Sequence, residues 1–510
     1  MTRAGVGSSV VRIPPELEAF LQQPKARTLM IRGPPGSGKT MLSLALMDSF
    51  HGRRVYVSLR VARESLLVQN PWLLKLPSQV PSPEIEIVDA YEEEPDHVQD
   101  HNPRPLKDAV MASPRETKEL EEFLWLPSSV QSAWSLASTQ NPTMIVFDSW
   151  DAIIDQYFER VVTPGEPIPS RSEIESILVR RMAKGNVSVV LVLERDTPST
   201  LDYHVDGIVE TSRLLREGRL ERWLTISKLR GVKITVDTYP FTLVDGRFTT
   251  ITTTGPGTFQ RINPPVPDPS PKDSGIWPGS TDYAEAFGRL LPAALTLFEL
   301  DAAIPREVPR AIIGPMAIQT IQAGGRALIL PPPLLEPEDA YQTVSDHLSR
   351  DAVTTRLRVM SAIPLYSRKD GAPGILIPFD RIGWTKAGPL VPVPKDPEFL
   401  QAAHESNDTN LVVAYLSGLQ AMAEASGMPV SHGILPALGA AVFQGSPVHV
   451  VAMGHSGDPL LPGVIPLAQT FIKVQYTNGR VFISGYRPYL APRILYEGNA
   501  TEPYRLMPIL

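Results

Sequence analysis

The eight residues Gly33-Pro34-Pro35-Gly36-Ser37-Gly38-Lys39-Thr40 stand between an apolar run, Thr28-Leu29-Met30-Ile31, and a helical pattern from Met41 to Phe50. Strand, glycine-rich loop and helix in that order restrict the chain to an α/β architecture, in which helices cover a buried strand. Glycines let a backbone wrap closely around oxygen atoms. The unpaired N–H groups of the loop and of the helix start then form a cradle for an anion. In such a Walker A loop, Lys39 is placed to reach the β and γ phosphates of a nucleotide, and the Thr40 hydroxyl to join a Mg²⁺ shell. Gly33, Pro34, Pro35, Gly36, Ser37, Gly38, Lys39 and Thr40 are therefore the expected nucleotide-binding residues.

A chain of 510 residues is too long for one ordinary core, so at least two domains are expected. The formal charge of −7 exerts no global pull toward nucleic acid or anionic lipid. With no cysteine, the chain has no disulfide, no thiol catalysis and no cysteine-ligated metal. Met1 to Val11 lacks the apolar core of a signal peptide. No apolar run reaches the roughly 20 residues that span a bilayer, so a cytoplasmic protein without a membrane partner is expected. The 52 prolines predict many stiff, irregular connections.

Pro14 and Pro15 precede a short helical stretch from Glu16 to Leu21. Val55 to Leu59 reads as a second strand, and the polar, proline-rich stretch from Pro77 to Arg115 as a surface excursion. In it the run Glu92-Glu93-Glu94 reads as a solvated face. The second chemical landmark is Thr143-Met144-Ile145-Val146-Phe147-Asp148. An apolar parallel strand ending in aspartate, downstream of a Walker A loop, is the Walker B pattern, so Asp148 is expected to hold Mg²⁺ directly or through water. Ser149 is a neighbouring helper and Asp151 a helix-start residue. Ser172 to Ala183 reads as helix and Val187 to Leu193 as another buried strand. At that strand's exit, Glu194 and Arg195 have two readings, a γ-phosphate sensor or an ordinary salt bridge. Val205 to Glu210, Arg219 to Leu229, a turn at Arg230-Gly231 and an Asp-Gly hairpin over Phe241 to Phe248 predict antiparallel edge strands.

The order of Walker A, Asp148, "VDGIVE", "LTISKLRG" and "PFTLVDGRF" resembles the RecA-like ATPases of the KaiC type over residues 12–252. That resemblance implies ATP as the nucleotide and a homo-oligomer. It also implies that Lys228 and Arg230 lie at a subunit boundary and reach the neighbouring protomer's phosphates. A closer likeness lies in "RIPPELEAFLQ", "VYVSLR", "NPWLL" and "ILVRRMAKGNVSVVLVLE", which resemble the gas vesicle regulatory GvpD family. The likeness implies a P-loop protein with basic segments, Arg180-Arg181 falling in one of them, that represses gas vesicle genes by contact with an activator protein.

One departure bears on turnover. KaiC-type proteins carry a glutamate pair after the second strand to orient the attacking water, whereas this chain has Arg60-Val61, with Glu64 one turn further on as the substitute. Slow Mg²⁺-dependent hydrolysis of ATP, acting as a switch on a protein partner, is the function expected. A DNA-handling recombinase-like ATPase and a nucleotide-binding scaffold without turnover are the alternatives. A basic DNA-facing module is not evident, which leaves nucleic acid open.

Residues 253–280, rich in threonine, proline and glycine, read as a linker between a domain over 1–252 and another over 281–510. In the second half Tyr283 to Leu300 reads as helical. Gly325 to Leu330 reads as the counterpart of the strand before the P-loop, running into Pro331-Pro332-Pro333, which offer no N–H and no cation. Leu357 to Ile363 reads as its second strand, Asn410 to Glu424 as helix or strand then helix, Pro447 to His455 as a buried strand, and Phe471 to Ile483 as a hairpin turning at Asn478-Gly479. His455 and Asp458 read as turn chemistry. The fold class expected is α/β, a RecA-like P-loop domain followed by a degenerate RecA-like domain, with an unrelated α/β domain as the alternative for the second.

Overall fold

The computed structural model describes residues 10–58, 61–75, 85–89, 142–161, 170–172, 175, 179, 187–195, 197–216, 218–252, 259, 263–270, 275–333, 337–360, 376–377, 410–425, 448–499 and 501–509. The chain divides into two compact units, Met1–Thr252 with Ile509–Leu510, and Thr253–Pro508. Within the Pro77–Arg115 stretch read as a surface excursion, Ile85–Asp89 is instead a strand of the first sheet, paired parallel with Arg54–Ser58, and Ile87 and Val88 are buried because they complete the apolar layers on its two faces. The rest of that stretch, the Glu92 run, Arg60 and the Arg180-Arg181 pair lie outside the described residues, as does most of the Ser172–Ala183 stretch.

In chain order the first unit contains β1 (Val10–Val11), α1 (Pro15–Leu21), β2 (Thr28–Arg32), α2 (Lys39–Ser49), β3 (Arg53–Ser58), α3 (Arg63–Gln69), β4 (Ile85–Asp89), β5 (Thr143–Asp148), α4 (Trp150–Val161), β6 (Val187–Val192), α5 (Leu201–His204), β7 (Gly207–Arg216), β8 (Arg219–Leu229), β9 (Thr238–Thr242) and β10 (Thr249–Ile251). Its sheet runs β1-β10-β9-β8-β7-β2-β6-β5-β3-β4. From β7 to β4 neighbouring strands are parallel; from β7 to β1 they are antiparallel.

Why the central strands read as unbroken apolar runs is visible in their packing. A strand sends successive side chains to opposite faces, and both faces are covered. Leu29, Ile31, Met144, Val146, Val190 and Val192 pack with Leu42 and Leu46 of α2. Their chain neighbours Met30, Ile145, Phe147, Val189 and Leu191 pack with Trp150, Ile153 and Ile154 of α4. The β7–β8 hairpin is paired from Gly207↔Leu229 to Arg216↔Arg219, while β2 stops at Arg32↔Glu210. The hairpin therefore continues past the end of β2, alongside the loop that leads into α2.

The second unit contains α6 (Thr281–Phe287), β11 (Ala294–Leu300), α7 (Glu307–Gln322), β12 (Ala327–Leu330), α8 (Pro337–Ser345), α9 (Arg350–Arg356), β13 (Leu357–Met360), β14 (Leu376–Ile377), β15 (Asn410–Tyr415), α10 (Leu416–Ala425), β16 (Val448–His455), α11 (Leu461–Val464), β17 (Thr470–Thr477), β18 (Arg480–Arg487), β19 (Tyr489–Asn499) and β20 (Glu502–Pro508). Its sheet order is β14-β13-β12-β15-β16-β11-β17-β18-β19-β20. Followed from the other end, this repeats the first sheet: β17, β11, β16, β15, β12 and β13 take the places of β7, β2, β6, β5, β3 and β4. The hairpin β17–β18 turns at Asn478 and Gly479, both with positive φ, as the Asn-Gly signal predicts. Ile276 and Trp277, from the stretch read as a linker, are buried in this unit.

Two expectations change here. The Tyr283–Leu300 stretch is not one helix: α6 ends at Phe287 and Ala294–Leu300 is the central strand β11. That strand, not the one before Pro331, is the counterpart of β2. The strand before Pro331-Pro332-Pro333 is β12, which occupies the place of β3, and Leu357–Met360 occupies the place of β4. The physical cause is burial. Leu295, Leu297, Phe298 and Leu300 are fully enclosed between two layers, so tertiary packing overrides the helix preference of a leucine- and alanine-rich run.

Candidate nucleotide site at the phosphate loop

The loop from Gly33 to Gly38 joins β2 to α2. Gly33, Gly36 and Gly38 have φ of 152°, 70° and 99°, a region that side chains disfavour. At Gly33 a Cβ would lie 2.1 Å from the Thr211 carbonyl oxygen of β7, so only glycine fits that approach. The Ser37 and Thr211 hydroxyls share a 2.6 Å hydrogen bond that ties the loop to β7. Lys39 opens α2, and its ammonium donates to the carbonyls of Gly33 (2.7 Å) and Pro34 (3.0 Å). A buried cation thus spans the mouth of the loop, where phosphate oxygens can compete for its protons.

Asp148 comes to the same place from the tip of β5, separated from β2 by β6 alone. The Thr40 hydroxyl donates to Asp148 Oδ2 at 2.7 Å. The Tyr56 hydroxyl, from β3, donates to the same oxygen at 2.5 Å. Burial, and then the Asp148 carboxylate, push the Tyr56 phenol well above its ordinary pKa, so it remains a donor. A hydroxyl and a carboxylate side by side are the hard oxygen donors that Mg²⁺ takes. With glycines where a Cβ would close the cradle and Lys39 beside it, the residues fit a nucleotide with its magnesium.

The β7–β8 hairpin adds two cations. Arg213 and Arg222 face each other in register. Arg222 Nη1 donates to the Gly36 carbonyl at 2.7 Å, and Arg213 Nη1 lies 3.2 Å from the point a Gly36 Cβ would occupy. Burial and then Arg213 lower the Arg222 pKa.

Lys228 and Arg230 lie elsewhere. Lys228 is level with Ile208, and Ile208 with Met30, below the phosphate end of β2. Lys228 donates to the Asp202 carbonyl at 2.7 Å, and Arg230 pairs with Asp206 at 3.4 Å. Burial, then Arg230, lower the Lys228 pKa. Glu64 is exposed in the first turn of α3, with no hydrogen bond to the loop among the described residues. Arg195 binds Glu175 at 2.8 Å and Asp151 at 3.7 Å, so at β6 the salt-bridge reading describes Arg195. Asp151 also accepts the Glu194 N–H, and Ser149 Oγ accepts the Ala152 N–H at the start of α4.

The second unit keeps the frame and loses the chemistry. Asp301–Arg306 joins β11 to α7 as Gly33–Gly38 joins β2 to α2, six residues in each case. Counted along these loops, Asp301 stands where Gly33 does, Glu307 where Lys39 does and Val308 where Thr40 does. At the strand tip Tyr415 takes the place of Asp148. A phosphate would meet a carboxylate instead of an ammonium. His455 and Asp458 form a turn, the Asp458 N–H bonding the His455 carbonyl at 2.9 Å.

Tyr56, Thr211, Arg213 and Arg222 were not legible as site residues in the sequence. A tyrosine between two valines of β3 is the only local signal among them.

An α/β unit with this loop, lysine and strand-tip aspartate defines a P-loop protein. Residues 17–227 match the family model described as GvpD gas vesicle protein, P-loop domain. The matched span ends one residue before Lys228. Protein GvpD2 of Halobacterium salinarum (strain ATCC 700922 / JCM 11081 / NRC-1) is 29% identical over 364 residues, covering 69% of this chain and 67% of the relative. Protein GvpD1 of the same organism is 32% identical over 250 residues, covering 48% of this chain and 42% of the relative.

Proposed function

We propose that the first unit binds ATP with Mg²⁺ and hydrolyses it slowly, so that nucleotide state switches the protein's contact with a regulatory partner. The observation that carries this reading is the meeting of Thr40 and Asp148 at 2.7 Å beside the glycine loop. Lys39 and the loop N–H groups hold the β and γ phosphates; Thr40 and Asp148 hold the metal, which neutralises charge on the phosphates. Glu64 is the carboxylate nearest in sequence to the position where an attacking water is oriented in KaiC-type proteins, and its exposure fits slow turnover. No helix among the described residues is long and apolar enough to cross a membrane, consistent with a cytoplasmic site of action. The name of the matched family points to gas vesicles as the first system in which to seek the partner.

ATP binding and turnover, measured with and without Mg²⁺, test this reading. Asp148→Ala is expected to abolish the Mg²⁺-dependent gain in affinity and to lower turnover at least tenfold, while ATP still binds in EDTA. Wild-type protein that neither binds nor hydrolyses ATP sinks the proposal.

Lys228 and Arg230 are proposed as contacts to the nucleotide of a neighbouring protomer. Their place below their own phosphate loop supports this, because a group that far down the sheet serves its own site poorly. In a demonstrated homo-oligomer, Arg230→Ala is expected to reduce turnover with little change in assembly. Unchanged turnover removes the assignment.

A further inference from the structure

Tyr56 is fully enclosed, 1% exposed, in the middle of β3. It pairs with Val146 while Ser58 pairs with Asp148, so its side chain rises along the α2-facing side of the sheet toward the tip of β5. Its hydroxyl ends 2.5 Å from Asp148 Oδ2, the oxygen that also accepts from Thr40 at 2.7 Å. Among the described residues, Oδ1 of the same carboxylate accepts no hydrogen bond. A tyrosine buried for packing alone needs no hydroxyl, and a carboxylate held by one oxygen presents the other in a fixed direction.

We propose that Tyr56 is the positioning residue of the magnesium site: it grips Oδ2 of Asp148 so that Oδ1 faces the divalent cation that arrives with the nucleotide. This rests on the reading of Asp148 and Thr40 as metal-binding residues. The assignment is chemically consistent with Thr40 acting on the cation. A hydroxyl that gives its lone pair to a metal keeps its proton, so both hydrogen bonds to Oδ2 persist when the cation binds. Partners one step removed from a metal commonly alter its affinity by about 10- to 100-fold, because they fix ligand orientation. β3 thereby contributes to the site through its middle, whereas β2 and β5 contribute through their tips.

The test is Tyr56→Phe in the full chain, with fluorescent ATP titrated at stepped Mg²⁺ and again in EDTA. Half-saturating Mg²⁺ is expected to rise about tenfold, with affinity in EDTA unchanged within about twofold. Tyr239→Phe serves as the structural control. It removes another buried phenol–carboxylate bond of the same unit, the 2.7 Å bond to Glu16, and is expected to leave the Mg²⁺ requirement alone. In an Asp148→Asn background the Tyr56 change is expected to add nothing, which tests the coupling even if stability falls. Should wild type bind no nucleotide, the site reading fails. Should wild type require Mg²⁺ and Tyr56→Phe share that requirement unchanged, or lose affinity equally in EDTA, the Tyr56 assignment alone is overturned.

Discussion

Lys39→Ala is expected to weaken ATP binding about 100-fold while the chain stays folded. Hydrogen bonds from a charged group contribute up to about 3 kcal/mol, and tenfold in affinity corresponds to about 1.4 kcal/mol. Lys39 is 8% exposed and fixed on the Gly33 and Pro34 carbonyls, so its ammonium is already oriented over the loop and little freedom is lost when it meets phosphate. Its loss removes a charge from a site that few solvent molecules screen. Calorimetric or fluorescence titration of wild type and variant measures the effect, and an unchanged circular dichroism spectrum establishes that the fold survives. Equal affinities in the two proteins rule out the phosphate loop as the nucleotide site. Arg213 and Arg222 are near the loop apex, so a residual affinity above background would be traced first to them.

The second large effect concerns acid. His449 of β16 is 2% exposed, and its Nδ1 lies 2.6 Å from the Leu291 carbonyl, which can only accept. Nδ1 therefore carries the proton, and Nε2 accepts from the Thr296 hydroxyl at 3.1 Å. Burial outweighs the backbone hydrogen bond and lowers the imidazole pKa to about 4 from its usual 6.5. Between those values the unfolded chain binds the extra proton and the folded chain does not, so stability falls as pH falls. The contribution is complete above about pH 6.5 and its loss approaches about 3 kcal/mol near pH 4. Urea unfolding of the full chain between pH 8 and 4.5, followed through the second unit, is expected to show a steeper acid loss for wild type than for His449→Gln. Identical pH slopes sink this account.

How far the sequence could be read depended on how local each signal was. β2, β5 and β6 announced themselves because a strand covered on both faces carries a nearly continuous apolar run, with polar residues mostly at its ends. The Asp245-Gly246 and Asn478-Gly479 turns were legible because positive φ restricts residue choice at those points. β11 was not legible. Ala294-Leu295-Thr296-Leu297-Phe298-Glu299-Leu300 is too short and too rich in helix-forming residues for periodicity to separate strand from helix. That error displaced the second unit's loop from Asp301–Arg306 to Pro331–Pro333, and so concealed that Glu307 stands where a phosphate-binding lysine would be. Arg222 and Tyr56 were hidden for another reason: their roles depend on hairpin register and strand order, which no short window of sequence contains.

The sequence by itself determined the glycine loop, its lysine and threonine, and an aspartate at the end of an apolar run, because steric freedom and burial act on neighbours along the chain. Tertiary structure alone decided that Thr40 and Asp148, 108 residues apart, share a hydrogen bond, that Tyr56 joins them, and that Arg222 grips the loop. It also decided which strand of the second unit repeats β2. The cause is the same in each case: sheet order brings strand tips together according to how two layers of helices cover them, and that energy is a property of the packed whole rather than of any segment.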